Sequence, residues 1–264
     1  MLFLVAAFGV GNNARDDKLL IRQILVSDHR SEANKARDSM RHPEATLKFF
    51  GLESDMTLVE ILPGGGWYAE ILAPFMKDEG TYYAAHFSPN SHIAYQPPML
   101  QQFKDRVAGN SEIYEGTIIT NLYPPTESDI APPNSADMAL TFRNVHNWIQ
   151  ADTQNDHFAA FYKALKPGGI LGVVEHRANP DSSMEIMKTT GYVTQDYVIE
   201  LAQQAGFEFV ESSEINANLK DSKDYPAGVW TLPPISRLGE QDLEKYLAIG
   251  ESDRMTLKFI KPEN

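Results

Sequence analysis

The residues best suited to hold a small ligand lie in a glycine-rich turn in the first third of the chain. Glu60 ends a short apolar run, Pro63 follows it, and Gly64, Gly65 and Gly66 come next in succession. Glycine gives the backbone access to positive φ angles and lets it approach a ligand closely. A helix that starts behind such a turn also offers free N–H groups. The pattern therefore predicts a strand, a ligand-binding turn and a helix.

A second group of polar and aromatic residues follows a later apolar run. It contains Arg143, Asn144, His146 and Trp148. Asn144 can fix a ligand through its amide, and His146 is a candidate general base because a free histidine titrates near neutral pH. We expect Arg143 and Trp148 to face a substrate. The alternative is a packing role, in which Arg143 caps the next helix and His146 lies under Trp148.

A glutamate and a histidine, Glu175 and His176, end the next apolar run. Neighbouring strands lie ~4.8 Å apart, so both residues can reach the surroundings of His146 and take part in removing a proton from an acceptor. Capping of the strand end, or pairing with Arg177, is the alternative. Together with His86 these residues also have the chemistry of a metal site. The strand of His86 should lie about 10 Å away, however, so we predict no metal.

Alternating strand and helix patterns must position these groups. Strands are predicted at Thr57–Leu62, Thr81–His86, Glu112–Tyr114, Asp137–Phe142 and Ile170–Glu175, with helices at Tyr68–Met76, Met99–Val107 and Asp152–Leu165. Such alternation predicts a parallel sheet with right-handed crossovers and helices on both faces. Ligands bind such sheets at the carboxyl ends of the strands, which is where both groups of residues fall.

Further elements are predicted before and after this core. They are helices at Asp16–Val26, Ser31–Met40 and Pro43–Phe50, a helix within Gly191–Ala205, a strand at Phe207–Glu211, a helix at Glu240–Ile249 and a last strand at Met255–Ile260. Pro43 at the first helical position and Gly51 just past the end frame the third of these helices.

Composition limits the classes of partner. The 264 residues include 23 basic and 36 acidic ones, a net charge of −13, and no cysteine. An acidic surface repels phosphate backbones, so we expect a small-molecule substrate and no nucleic acid. The absence of cysteine excludes disulfides and thiolate chemistry. Nothing in the sequence indicates an oligomeric state.

The first ten residues are almost entirely apolar and form a candidate leader. They are too few to span a bilayer but suit the core of a signal peptide. We therefore predict a leader or N-terminal extension over residues 1–27 and one domain over residues 28–264, with no stable membrane insertion. A periplasmic or secreted location is expected, and a cytoplasmic one is the alternative.

Several stretches together resemble the class I S-adenosylmethionine-dependent methyltransferases, and more narrowly a family of predicted, often exported bacterial methyltransferases. The matching stretches are Arg41–Gly51, Pro63–Tyr68, Thr81–Phe87, Thr141–Trp148, Leu165–Gly169 and Asp253–Phe259. They are spread over nearly everything from residue 28 onward. The resemblance implies a Rossmann-like α/β fold with a mostly parallel seven-stranded sheet and an antiparallel last strand.

The resemblance also implies S-adenosylmethionine as the cofactor and methyl transfer to an unidentified small molecule as the function. The expected cofactor-binding residues are Glu60, Pro63, Gly64, Gly65, Gly66, Trp67, His86 and Asn144. Asn144, His146 and His176 are the expected catalytic residues, and Arg143, Trp148 and Tyr225 the expected substrate-binding ones. By analogy, Arg41 and His42 fold over the site, and Trp230 completes the substrate wall beside Tyr225.

Two positions depart from the pattern of this family. Leu62 stands where the first glycine of the turn is usual, and His86 stands where an acid usually accepts both ribose hydroxyls. A neutral histidine accepts only one such bond. A catalytically silent or repurposed ligand-binding protein on the same fold is therefore the alternative. A nicotinamide-dependent oxidoreductase is disfavoured, because the turn lacks the Gly-x-Gly-x-x-Gly spacing and the second strand lacks its acid.

Overall fold

A seven-stranded sheet forms the centre of the protein in a computed structural model that describes residues 10–263, and side chains from residue 16 onward. Its strands are β1 (Thr57–Ile61), β2 (Thr81–His86), β3 (Ile118–Asn121), β4 (Ala136–Phe142), β5 (Leu165–His176), β6 (Glu208–Ser213) and β7 (Arg254–Ile260). They are ordered β3-β2-β1-β4-β5-β7-β6. All neighbours pair in parallel except β7, which is antiparallel to β5 and β6. The predicted mixed sheet with an antiparallel last strand is confirmed.

Helices cover both faces of the sheet. They are α1 (Val10–Val26), α2 (Glu32–Lys35), α3 (Asp38–Arg41), α4 (Pro43–Phe50), α5 (Ala69–Met76), α6 (Gln96–Gly109), α7 (Val145–Gln150), α8 (Gln154–Ala164), α9 (Met184–Thr190), α10 (Gln195–Gln204) and α11 (Leu243–Ile249). Leu58 of β1 belongs to an apolar layer with Ile71 of α5 and Ile24 of α1. The next residue, Val59, belongs to the opposite layer with Phe161 of α8. This alternation buries β1 on both sides.

Two sequence predictions about elements need correction. The predicted strand Glu112–Tyr114 is wrong: these residues form turns after α6, where the ring of Tyr114 packs on Phe103 at 6.4 Å. The third strand is Ile118–Asn121 instead. The predicted helix Ser31–Met40 is divided into α2 and α3, and α9 had no counterpart in the sequence analysis.

The N-terminal helix packs on the domain. Asp17 accepts a hydrogen bond from the Ser54 hydroxyl at 2.6 Å, and Ile21 and Ile24 are buried. Residues 1–9 of the predicted leader lie outside the described residues. Within residues 10–263, every helix is too short or too polar to cross a membrane.

A buried ionic network holds the N-terminal segment against the helix behind the glycine turn. Arg30 donates to both oxygens of Asp38 at 2.7 and 2.8 Å and to Glu70 of α5 at 3.1 Å. The side-chain amide of Asn34 donates to Glu70, with Nδ2 3.0 Å from each carboxylate oxygen, and the backbone carbonyl of Asn34 accepts from the Trp67 indole at 3.1 Å. Arg30 and Glu70 are only 1% and 2% exposed. Each charge therefore depends on its partner for solvation.

We expect Arg30→Met to lower the free energy of unfolding by about 3–5 kcal/mol, because it removes the buried cation that bonds to Glu70 and leaves only Arg106, which is 40% exposed and 3.7 Å away. Urea denaturation measures the change. Arg22→Met is the matched control, since Arg22 and Glu44 pair at 2.8 Å with side chains 56% and 32% exposed. That pair should contribute below about 1 kcal/mol. Equal losses in the two variants would contradict a buried network.

Candidate active site

Two adjoining cavities open where the strand order changes direction. β1 has β2 on one side and β4 on the other, so the carboxyl ends of β1 and β4 form the crevice at which ligands bind in open α/β sheets. One cavity has a volume of about 450 Å³, and the other about 500 Å³. Leu62, Asn144 and Asn147 line both. We call them the first and the second cavity.

Most of the predicted site residues line the first cavity. Those in its wall are Glu60, Pro63, Gly64, Gly65, Trp67, Arg143, Asn144, His146, His176 and Trp230. Arg41 also lies there, as expected of a segment that folds over the site. Gly66, His86, Trp148 and Tyr225 are not in this wall. The structure thus brings together the ends of β1, β4 and β5 and separates four residues from them.

Glu60 presents a buried acid to the first cavity. The Tyr82 hydroxyl donates to its Oε2 atom, and Glu60 is 2% exposed. Burial raises the pKa of Glu60 to about 8, although the Tyr82 hydrogen bond lowers it. An adjacent cation would reverse that effect, since an opposite charge favours the ionised form.

Asn144 has a fixed orientation. Its Nδ2 atom donates to the Ile61 carbonyl and to Thr141 Oγ1, both at 3.1 Å. The two donors of the amide are therefore in use, and Oδ1 is the atom left to accept a bond from a ligand. Together, Glu60 and Asn144 offer two oxygen acceptors beside the glycine turn.

His86 supports the glycine turn from within the protein. Its Nδ1 atom accepts from the Phe87 N–H at 2.8 Å, so Nε2 carries the proton and donates to the Gly64 carbonyl at 3.1 Å. His86 is fully buried, and burial lowers its pKa to about 4. Both ring nitrogens are thus occupied, and His86 lines neither cavity. In this structure His86 therefore has no free ring nitrogen for the ribose hydroxyl that the sequence analysis assigned to it, and it supports the turn.

Leu62 adopts a conformation that normally belongs to glycine. Its φ of 50° is left-handed, which costs a non-glycine residue of order 1–3 kcal/mol. The N–H of Leu62 donates to the Ala85 carbonyl at 2.8 Å, which extends the pairing of β1 with β2 by one residue. Its side chain packs in the core and also lines both cavities. Leu62 therefore stands at the boundary between them.

A histidine with a carboxylate behind it faces the first cavity. The Nδ1 atom of His146 lies 3.0 Å from Glu175 Oε1. Glu175 also accepts from the backbone N–H groups of His146 at 3.2 Å and of His176 at 2.7 Å. Because a carboxylate accepts, Nδ1 of His146 carries the proton and Nε2 keeps its lone pair. The pair has the arrangement of a general base and its orienting acid.

His176 has a different environment from His146. Its Nδ1 atom bonds to Ser252 Oγ at 2.5 Å. Burial, with further contributions from His146, Arg143 and Arg254, holds its pKa well below the ordinary value. A neutral imidazole without a carboxylate is the poorer proton acceptor, so the base assignment favours His146.

Two of the predicted substrate-binding residues pack elsewhere. Trp148 is 3% exposed, stacks on His157 at 4.5 Å and borders the second cavity. Tyr225 lies edge-on to Tyr246 at 5.9 Å, in neither cavity wall. Trp230, five residues further on, lines the first cavity with its ring 6.0 Å from His146. In this structure Trp148 therefore borders the second cavity and not the first, Tyr225 borders neither, and Trp230 lines the first.

A group of arginines surrounds one acid, and the sequence does not predict this group. Glu251 accepts from Arg37 at 2.8 Å, from Arg41 at 3.0 and 3.1 Å, and from Arg254 at 2.9 Å. Arg143 lies close enough to lower the pKa of Glu251 further. The sequence singles out only Arg41 and Arg143 of this group. The pairing with Glu251 leaves no local signal, because Glu251 lies more than 200 residues from Arg37 and Arg41.

The second cavity is lined by both aromatic and polar residues. Phe87, Tyr95 and Tyr123 are among its lining residues. Gln96, 8% exposed, also lines it. The Oε1 atom of Gln96 accepts from the Ser91 hydroxyl at 2.5 Å, which leaves its amide N–H groups for a ligand. Such a wall suits a flat heterocycle with hydroxyl groups attached.

Comparison with known proteins gives the fold. No family model matches the chain, and no curated protein matches it. Among solved structures, a SAM-dependent methyltransferase from Aquifex aeolicus is 15% identical with a TM-score of 0.56, over 92% of this chain and 98% of that one. A geranyl diphosphate methyltransferase in complex with SAM is 12% identical with a TM-score of 0.56, over 91% and 94%.

A third similar structure has another named activity. The [4+2]-cyclase SpnF is 16% identical with a TM-score of 0.55, over 96% of this chain and 95% of that one. At such identities a likeness establishes architecture and not chemistry. The chain has the Rossmann-like fold of class I S-adenosylmethionine-dependent methyltransferases.

Proposed function

We propose that the protein transfers a methyl group from S-adenosylmethionine to a small molecule. One observation carries the proposal: acceptors for a ligand ammonium and a histidine–glutamate pair converge on the first cavity. Glu60 and Asn144 supply the acceptors, and His146 with Glu175 the pair. The fold supports the same conclusion, because the solved structures similar to this chain include methyltransferases.

The residues present fit the cofactor. A side chain at Gly65 would meet no atom within 4 Å, and one at Gly64 would meet only Met99 Sδ at 4.0 Å, so the turn leaves open space for a ligand. Glu60 and Asn144 would hold the ammonium group of the cofactor, and the second cavity would take its nucleoside. Trp67 borders the same space. When bound, the cofactor supplies an electrophilic methyl group.

The remaining chemistry is proton removal and alignment. If the acceptor is an O–H or N–H group, its proton goes to Nε2 of His146, and Glu175 stabilises the imidazolium that forms. Alignment of the reacting atoms in a confined cavity supplies most of the rest of the rate enhancement in such reactions. Trp230 and Tyr68 also line the first cavity, and their rings offer apolar surface for the acceptor.

A binding protein that has lost catalysis is the second candidate. It is favoured by two features: no carboxylate follows β2, and Leu62 projects between the cavities. The SpnF structure supports the possibility of other chemistry on this fold. The predicted export of the chain would also favour it, because the methyl donor is made in the cytoplasm; export itself stays a prediction.

We expect S-adenosylhomocysteine to stabilise the protein. A ligand at about 100 times its dissociation constant adds about 2.7 kcal/mol to the free energy of unfolding. Thermal unfolding with the ligand in a dilution series measures this effect, with adenosine and methionine as separate controls for each half. Absence of a shift at millimolar ligand would exclude the methyltransferase proposal and leave the second candidate.

We expect cofactor binding to release a proton through Glu60. Burial raises the pKa of Glu60 to about 8, so it is mostly protonated at pH 7. A bound ammonium favours the carboxylate, and affinity should therefore increase as the pH rises from 6 to 8. Calorimetry at pH 7 in two buffers of different ionisation enthalpy counts the protons. The Glu60→Gln variant should release fewer protons on binding the cofactor. An unchanged number of released protons would contradict the assignment.

We expect His146→Ala to reduce methyl transfer roughly 10²–10⁴-fold, the usual contribution of a general base, with the affinity for S-adenosylhomocysteine unchanged. Formation of S-adenosylhomocysteine with an active acceptor is the readout. Glu175→Gln should reduce the rate less than His146→Ala does, and it should make the rate less dependent on pH. The control is His92→Ala, since His92 is exposed. Equal loss of rate and cofactor affinity would show that His146 faces the cofactor instead.

A further inference from the structure

Positive charge is concentrated at the first cavity of an otherwise acidic protein. The chain has a net charge of −13, yet Arg37, Arg41 and Arg143 line this cavity. Arg254 lies behind them and shares Glu251 with the first two. We call these four residues the arginine cluster. Electrostatic focusing makes such a cavity attract anions through an acidic surface.

The cluster has more donors than acceptors. Arg37 Nη2, Arg41 Nη2 and Arg254 Nε are buried without a hydrogen-bond partner among the described residues. Arg143 is half-buried, and only burial and neighbouring charges act on its guanidinium, with no side-chain hydrogen bond. Arg41 itself is 2% exposed. Unpaired buried donors destabilise a protein unless a ligand takes them up.

The charge balance points the same way. Within residues 16–263, Glu251 is the only carboxylate that pairs with the cluster. Burial and the nearby Arg143 lower the pKa of Arg41 to about 9. Burial and like charges also lower the pKa of Arg143 and of Arg254, with Glu251 acting in the opposite direction. The cluster is therefore short of negative charge.

One cofactor carboxylate does not balance this excess. Four guanidinium groups face two carboxylates, Glu251 in contact and Glu175 at longer range, so two positive charges remain, and the single carboxylate of S-adenosylmethionine would leave one. A second anionic group is needed. Guanidinium groups bind carboxylates and phosphates through paired N–H donors.

We propose that the methyl acceptor carries an acidic group, a carboxylate or a phosphate, which Arg37, Arg41 and Arg143 bind in the first cavity. The inference rests on the proposed function and names the substrate class of that site. The Tyr68 ring, which stacks on Phe142 at 3.5 Å, lies in the same wall. It offers an apolar surface for the rest of the acceptor.

A metal ion is the competing ligand for this cavity. His146, Glu175 and His176 have ligand atoms within 4.8 Å of one another. The charges that act on His176, however, include those of Arg143, Arg254 and Arg41. A divalent cation would add to an existing positive excess, whereas an anion would relieve it. The electrostatics thus favour the anion.

The test measures anion binding to protein that is already saturated with S-adenosylhomocysteine. Calorimetric titration with inorganic phosphate, and separately with malonate, is run at constant ionic strength set with chloride, because phosphate also stabilises proteins non-specifically. We expect one anion to bind while the S-adenosylhomocysteine stays bound. Tighter binding of phosphate would indicate a phosphorylated acceptor, and tighter binding of malonate would indicate a carboxylic one.

Variants assign the binding to the cluster. Arg143→Gln and Arg37→Gln should each weaken the anion at least about tenfold, the effect of losing one charge-assisted hydrogen bond. Arg37 is the safer variant for folding, since its side chain is 26% exposed. Arg237→Gln is the matched control: Arg237 is exposed and lies over the Trp230 ring at 4.6 Å, outside the cavity wall. It should leave binding unchanged.

Stability supplies an independent readout. Arg143→Gln removes an unpaired cation from a group of like charges. Without ligand, the variant should therefore have a melting temperature equal to or higher than that of the wild type. A purely structural Arg143 would give a lower melting temperature, and with unchanged anion affinity that result would overturn the inference.

The outcomes separate this inference from the proposed function. If S-adenosylhomocysteine binds and no anion does, the acceptor inference fails and the methyltransferase proposal stands. If the anion displaces S-adenosylhomocysteine, the arginines hold the cofactor carboxylate, and the inference again fails alone. If S-adenosylhomocysteine does not bind at all, the proposed function fails, and the inference about its acceptor fails with it.

Discussion

Two left-handed residues at the ends of the central strands shape the whole site. Leu62 follows β1 with φ 50°, and Arg143 follows β4 with φ 62°. Each first donates one more bond to the neighbouring outer strand, Leu62 to Ala85 at 2.8 Å and Arg143 to Val174 at 2.7 Å. The chain then turns sharply, because a left-handed residue cannot continue a strand. The crevice between β1 and β4 exists because both strands end in this way, and neighbouring hydrogen bonds offset the cost of two strained residues.

Charge then closes the crevice from the other side. Glu251, just before β7, accepts hydrogen bonds from Arg37 and Arg41 in the N-terminal segment. Arg30 joins that same segment to Glu70 behind the glycine turn. Buried ion pairs thus join the segment to Glu251 before β7 and to Glu70 of α5. Such pairs lose much of their stabilisation if one partner is removed. A rigid cover of this kind can hold several cations near one ligand, and a mobile loop could not hold them at fixed distances.

Local patterns in the sequence predict most of the fold and about half of the site. Apolar periodicity locates β1, β2, β4 and β5. Asn144, just after β4, lines the first cavity, and Glu175 near the end of β5 lies behind His146. The segment around Tyr114 was wrongly predicted as a strand, because a short apolar pair fits a strand and a packed turn equally well. His86 is misread for another reason: its partner Gly64 lies 22 residues earlier. The pairing of Glu251 with Arg41 spans 210 residues, and no local pattern encodes contacts of that kind.

The base and the arginine cluster impose opposite demands on one cavity. A histidine that must gain a proton is disfavoured beside several cations, and the depressed pKa of His176, caused by burial and then by its cationic neighbours, shows that effect. Glu175, 3.0 Å from His146, brings one negative charge to the same place. An acidic acceptor would strengthen the same compensation, since its charge would neutralise part of the cluster. A neutral acceptor of similar shape would leave the arginines unpaired and the base weaker. The arrangement therefore selects for an acid both in binding and in proton transfer, which is how a site on a widely shared fold acquires a particular substrate.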